Sequence, residues 1–194
     1  MDSATLNRRP PGAIDLLLTR RSGSAKAMTG PGPDAAQLRT ILTAAARVPD
    51  HGKLFPWRFV LFEGEARARF GEVLAECLPR QDATPERLAM ERGRFMRAPV
   101  VVGVISRVRE GIPIPAWEQE LSAGAVCQTM LFAATALGFV ANWLTEWPAF
   151  NACVGERLGL QPGERVAGFV YIGHPATTLE ERVRPDIDKL VTRF

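Results

Sequence analysis

The sequence predicts a layered α/β or α+β domain. Its 194 residues match the size of one ordinary domain. Its 46% apolar and 23% charged residues match the globular average. Along the chain, helical apolar spacing alternates with short runs of aromatic and β-branched residues. A chain this long buries about 70% of its surface on folding, so its core needs no staples. The 15 prolines are scattered, which excludes fibrous or low-complexity architectures. No repeat or linker interrupts residues 1–194, so a single domain is expected, with a flexible N-terminus over about 1–11 and an extended tail over about 175–194.

The elements follow in order. Residues 12–20 carry a short apolar stripe and predict a helix, followed by a loop rich in Gly, Ser and Pro up to Pro33. Asp34 is an N-cap for a helix over 35–47 with Leu38, Ile41, Leu42 and Ala45 on one face, stopped by Pro49. After the loop 50–56, residues 57–62 predict a mostly buried strand. Residues 65–77 form an amphipathic helix carrying Phe70, Val73 and Leu74. Thr84 caps another over about 85–97, with Pro85 at its favoured first position. The near-continuous apolar run 99–105 predicts a strand covered on both faces. A helix over about 118–137 follows, closed by Gly138. A strand near 140–143, a helix near 149–158 and a strand over 166–173 complete the body.

The charge balance removes several function classes. A net charge of +3 is too small to make nucleic acid the default partner. The arginines alternate with acids, as in Glu86-Arg87 and Glu91-Arg92, and form no dense basic run. Two histidines and three cysteines without CxxC or Cys/His spacing leave a metal site poorly supplied, and reduced thiols in a cytoplasmic protein are expected. Arg20-Arg21 superficially matches a twin-arginine signal, but Ser22 to Pro33 supplies no apolar stretch, so export is rejected. From Leu121 to Thr145 no residue is charged, which is long enough for a bilayer span. Ser122, Gln128, Thr129, Thr135 and Asn142, and the absence of basic flanks, favour instead a helix buried in the core or at a subunit interface.

No GxGxxG, Walker loop, GxSxG or HExxH is present. Arg20-Arg21-Ser22 offers planar guanidinium forks and a hydroxyl suited to a phosphate. His51 lies in a stiff loop and is able to donate to a ligand or relay a proton. No nucleophile–base pair emerges, which points to a cofactor as the carrier of any chemistry.

Taken in order, Arg20-Arg21-Ser22, Arg47-x-Pro49-Asp50-His51, Pro56-Trp57-x-Phe59, Glu63-Gly64-Glu65 and Trp117-Glu118-Gln119-Glu120-x-Ser122-Ala123-Gly124 resemble the nitroreductase family of flavoproteins, and within it the small YdjA-like branch. The resemblance runs from about Leu16 to Phe194. It implies an α+β fold with a central mixed or antiparallel sheet flanked by helices. It also implies an intertwined homodimer with FMN at the subunit interface, and no metal. Arg20, Arg21 and Ser22 fall where relatives bind the FMN phosphate and ribityl side. Arg47 and His51 fall where they reach the flavin of the other subunit, and Trp143, Leu144 and Thr145 on the turn that lines the isoalloxazine. Ala133, Ala134, Thr135, Ala136, Leu137 and Gly138 match the stretch assigned to the nicotinamide nucleotide.

The implied activity is reduction of nitroaromatic or quinone-like acceptors by NADH or NADPH, with ping-pong hydride transfer through flavin N5. Reductive dehalogenation or flavin destruction on the same fold, and a flavin-binding redox sensor with little turnover, are the alternatives. Two departures matter. The branch carries Trp-Arg-Ser at the flavin-lining turn, so Leu144 removes a guanidinium. In larger nitroreductases, basic residues near the C-terminus also hold the phosphate; Arg193 is placed to serve so, with an exposed tail arginine as the simpler reading.

Overall fold

A computed structural model describes residues 12–26 and 28–194; the flexible N-terminus expected over 1–11 lies outside the described residues. The helices are α1 (Ala13–Thr19), α2 (Ala35–Ala45), α3 (Ala66–Cys77), α4 (Pro85–Arg92), α5 (Ala116–Ala136) and α6 (Ala152–Arg157). The strands are β1 (Met28–Thr29), β2 (Trp57–Glu63), β3 (Val100–Arg107), β4 (Val140–Leu144) and β5 (Glu164–Pro175). The pairings β2–β3, β3–β5, β4–β5 and β1–β5 are all antiparallel. Val170 pairs with both Val102 and Trp143, so β5 runs between β3 and β4.

Alternation along the strands explains the two cores. Val100, Val102 and Val104 of β3, with Val170 and Ile172 of β5, meet Leu38 and Ile41 of α2 and Val126, Cys127 and Met130 of α5. Val101 and Ile105 face the other way, with Phe169 and Tyr171, onto Phe70 and Leu74 of α3, Phe95 and Val154. Phe62, Phe70, Phe95 and Phe169 pack there with ring centroids 4.6–6.4 Å apart, within the range that favours aromatic pairs. The fold is therefore α+β with helices on both faces of an antiparallel sheet, and β3 is buried along its length as its apolar run predicts.

Local signals account for the helix starts. Asp34 forms a full capping box with Gln37, Thr84 accepts from the Arg87 amide with Pro85 in the first turn, and Asn151 caps α6. Three elements differ from expectation. The helix expected over 85–97 ends at Arg92, and after Gly93 the chain tightens into a 3₁₀ turn over Arg94–Arg97. The first residues of that turn, Arg94 and Phe95, point inward and are buried. The helix expected near 149–158 starts only at Ala152, because Pro148 sits in a 3₁₀ turn that precedes the Asn151 cap. Strand β1, two residues long within the Gly/Ser/Pro loop, carries too little pattern to be seen in sequence.

The expectation of three reduced thiols is corrected. Cys77, at the end of α3, and Cys153, in α6, form a disulfide across 76 residues of sequence, while Cys127 is free and buried in α5. Two helices distant in sequence pack side by side on one face of the sheet, and only that packing brings the sulfurs together. Among the described residues no helix is long and apolar enough to cross a membrane. The uncharged part of α5, from Leu121 on, instead covers the sheet with Ala123, Val126, Cys127, Met130 and Ala134, while Trp117 and Leu121 stay exposed.

Candidate cofactor site

Helix α1 ends where Arg20 adopts an extended backbone at φ −58°, ψ 138°. The next residues lie against β4. Asn142 donates from Nδ2 to the Gly23 carbonyl at 2.6 Å. A Cβ on Gly23 would stand 2.5 Å from Val140 Cγ2, so glycine is required for this close approach. The result is a cavity of about 480 Å³ lined by Arg20, Arg21, Ser22, Asn142, Trp143 and two arginines from the C-terminal segment, Arg182 and Arg184.

The cavity has an excess of positive charge. Arg20 is held below the ordinary arginine value by burial and by the neighbouring charges of Arg184, Arg21 and Arg182. Its Nη2 donates to Ser22 Oγ at 3.1 Å, but its Nε is buried with no partner among the described residues. Counter-charge comes from exposed Glu181, which lies 3.6 Å from Arg21 and 2.9 Å from Arg184 and leaves Arg20 uncompensated. An orphaned buried donor among like charges fits an anion with several acceptor oxygens, such as a phosphate monoester. Sequence reasoning missed Arg182 and Arg184; Arg193, read there as more simply an exposed tail arginine, does not line this cavity. The spacing of basic residues in a tail carries no signal of which one folds back.

Trp143 forms the opposite wall. Its indole N–H donates to the Ala167 carbonyl at 3.0 Å, and its ring crosses directly over Gly168 of β5. A Cβ at Gly168 would stand 1.9 Å from Trp143 Nε1. Gly168→Ala is therefore expected to expel the indole and cost about 1–3 kcal/mol, as overpacking does. Urea unfolding measures this, and an unchanged midpoint would show that the indole has room to move. Leu144 and Thr145 follow at the end of β4, half-buried, on the same turn.

The other expected site residues lie elsewhere in the chain. Arg47 is exposed just after α2. His51 lines a separate cavity of about 340 Å³ with Pro49, Glu118, Leu121 and Ser122. The loop that presents it is well fixed. Asp50 accepts from the amides of Leu54 and Phe55 at 3.0 and 2.9 Å, and Ser122 Oγ donates to the Pro49 carbonyl at 2.6 Å. His51 Nδ1 lies 2.7 Å from Glu118 Oε2, a partner that the sequence did not reveal. At the end of α5, Ala134 is fully buried against the sheet, whereas Ala136, Leu137 and Gly138 are exposed; Ala133 and Thr135 lie between. Phe132, one residue before that stretch, lies 6.0 Å beneath the Arg20 guanidinium.

The antiparallel sheet with helices on both faces is a fold shared with known proteins. The nitroreductase family model matches residues 17–174, and the chain belongs to the nitroreductase family. The chain is 36% identical over 187 residues to an Escherichia coli (strain K12) protein named "Putative NAD(P)H nitroreductase YdjA", covering 94% of this chain and 99% of that one. A Haemophilus influenzae relative named "Putative NAD(P)H nitroreductase" is 35% identical over 89% of this chain and 93% of its own. Among solved structures, a nitroreductase-like family protein from Bacillus cereus has the same fold with a TM-score of 0.85 at 21% identity, over 96% of this chain and 98% of that one. A Desulfovibrio desulfuricans "putative nitroreductase in complex with fmn" gives a TM-score of 0.71 at 26% identity, over 96% and 98%.

Proposed function

We propose that this protein is an FMN-dependent oxidoreductase that takes electrons from NADH or NADPH and passes them to nitroaromatic or quinone-like acceptors. The observation that carries the reading is the arginine cradle, in which a buried Arg20 Nε without a partner faces a cavity walled by Trp143. The family and the FMN held by the Desulfovibrio relative support the same group. FMN, when bound, supplies hydride acceptance and donation.

The residues of the chain then bind and orient. Arg20, Arg21 and Ser22, with Arg182 and Arg184, hold the phosphate, and Trp143, Leu144 and Thr145 line the ring. Leu144, which stands in place of a basic residue, packs against the α3-side core, so this turn presents no guanidinium to the ring, which suits an apolar acceptor. At the end of α5, the exposed Ala136, Leu137 and Gly138 suit an approaching nicotinamide.

Arg47 and His51 are exposed and away from this cradle, which suits residues that serve the flavin of a second subunit. A homodimer also accounts for the exposed apolar side chains of α1 (Ile14, Leu17, Leu18), α5 (Trp117, Leu121) and the C-terminal segment (Ile187, Leu190, Val191, Phe194).

Anaerobic mixing tests the reading. NADH or NADPH is expected to bleach the visible absorption of the oxidised flavin, and a quinone or nitroaromatic added afterwards to restore it. A flavin that stays oxidised with both nucleotides would overturn the assignment.

A further inference from the structure

The turn that carries Trp143, Leu144 and Thr145 ends in a residue with an unfavourable backbone. Glu146 has φ 51° and ψ −177°, a region that L side chains rarely enter and that glycine fills easily. Such a conformation persists only where surrounding contacts over-determine it. Those contacts are ionic. The Glu146 carboxylate accepts from Arg94 Nη1 at 2.6 Å and from Arg97 Nη1 at 3.1 and 3.2 Å.

Arg94 is in turn held from behind. Its Nε and Nη2 donate to the two oxygens of Glu91 at 2.5 and 2.7 Å, a bidentate pair, and Arg87 Nε lies 2.9 Å from the same carboxylate. Glu91 is fully buried and Arg94 nearly so, both in the segment between α3 and β3. A buried ion pair is a poor way to stabilise a core, since apolar residues of similar volume often do as well or better. Its geometric use is plain here: a planar fork with one edge on Glu91 and one free Nη aimed at a single carboxylate fixes where that carboxylate stands. At the other end of the turn, Asn142 ties β4 to Gly23 and the arginine cradle, and the Trp143 indole is tied to Ala167.

We propose that Glu91 and Arg94 are positioning residues for the cofactor-lining turn, acting through Glu146 to hold Trp143–Thr145 in the geometry that the cofactor meets. The role of the turn rests on the flavin reading above; the anchoring itself does not. Arg94 touches no part of the cradle, and its effect passes entirely through the Glu146 carboxylate.

Three variants test it in the full-length protein: Glu146→Gln, Glu146→Gly and Arg94→Lys. Each is examined by FMN titration, by the visible spectrum of the bound flavin and by hydrogen exchange of the 143–147 amides. Glu146→Gln keeps the shape and removes the charge. It is expected to weaken FMN binding about tenfold, to speed exchange in the turn, and to shift the flavin bands, with α2 and β3 protected as before. Glu146→Gly relieves the backbone but loses the anchor, and is expected to behave like or worse than Glu146→Gln. Arg94→Lys loses the fork and is expected to follow them in part.

If Glu146→Gly leaves turn exchange, FMN affinity and flavin bands as in the parent, the anchor is irrelevant and the proposal falls. If the parent protein binds no FMN, the flavin reading falls, while faster turn exchange in the variants still upholds the anchoring and unchanged exchange still overturns it.

Discussion

Arg20→Ala combined with Ser22→Ala is expected to weaken FMN binding by a factor of about 30 to 1,600. A hydrogen bond to a charged group contributes roughly 1.5–3 kcal/mol and a neutral one roughly 0.5–1.5 kcal/mol, and each 1.4 kcal/mol is tenfold in affinity. Arg20 carries the larger part. Its unpartnered Nε and the charges of Arg21, Arg182 and Arg184 around it are compensated only when an anion arrives. Removing one of four like charges also relieves their mutual repulsion, so the variant is expected to fold at least as stably as the parent. Affinity falls while the unfolding midpoint holds. Parent binding should also weaken with added salt, as screening at 1 M reaches down to about 3 Å. FMN titration by fluorescence quenching measures both effects. Unchanged affinity in the double variant would move the phosphate to another part of the surface.

Glu91→Ala is expected to cost about 3–5 kcal/mol, because it leaves the Arg94 guanidinium buried and short of a partner. For a chain of this size that is a fall in Tm of roughly 6–20 °C, measured by calorimetry or circular dichroism. The pair also fixes the sign of the acid response. Burial pushes the carboxyls of Glu91 and Glu146 up, but the hydrogen bonds and charge of Arg94, joined by Arg87 at Glu91 and Arg97 at Glu146, outweigh it and hold both below the ordinary value of 4.5. An unfolded chain binds those protons at the ordinary value. The stabilisation is therefore complete above about pH 4.5 and is lost as pH falls through the lowered folded values. Stability measured from pH 7 down to 3 should fall along this limb, with a smaller drop for Glu91→Ala than for the parent. A parallel fall in the two proteins would show that other carboxylates set the acid limit.

Much of the frame was legible because its signals are local. Asp34, Thr84 and Pro85 mark helix starts through hydrogen bonds within one turn, and the run from Val100 to Ile105 announces a strand with cover on both faces. The site was legible only where its residues are neighbours in sequence, as Arg20, Arg21 and Ser22 are, or where the family resemblance supplied Trp143. What sequence hid depends on distant segments meeting. Arg182 and Arg184 join Arg20 through a tail that folds back, Glu118 meets His51 across 67 residues, and Cys77 meets Cys153 across 76. Glu91 and Arg94 posed a different difficulty. An acid and a base three residues apart read as an ordinary solvated pair, and nothing in that spacing distinguishes a surface pair from one with both side chains buried.

The most direct test of the account is the flavin content of the purified protein at saturation, with the released chromophore identified and the mass of the assembly measured by light scattering. The account predicts FMN at one per chain on a dimer. A chain that binds no FMN, alone or after reconstitution, would contradict it, leaving the arginine cradle for some other phosphate-bearing ligand.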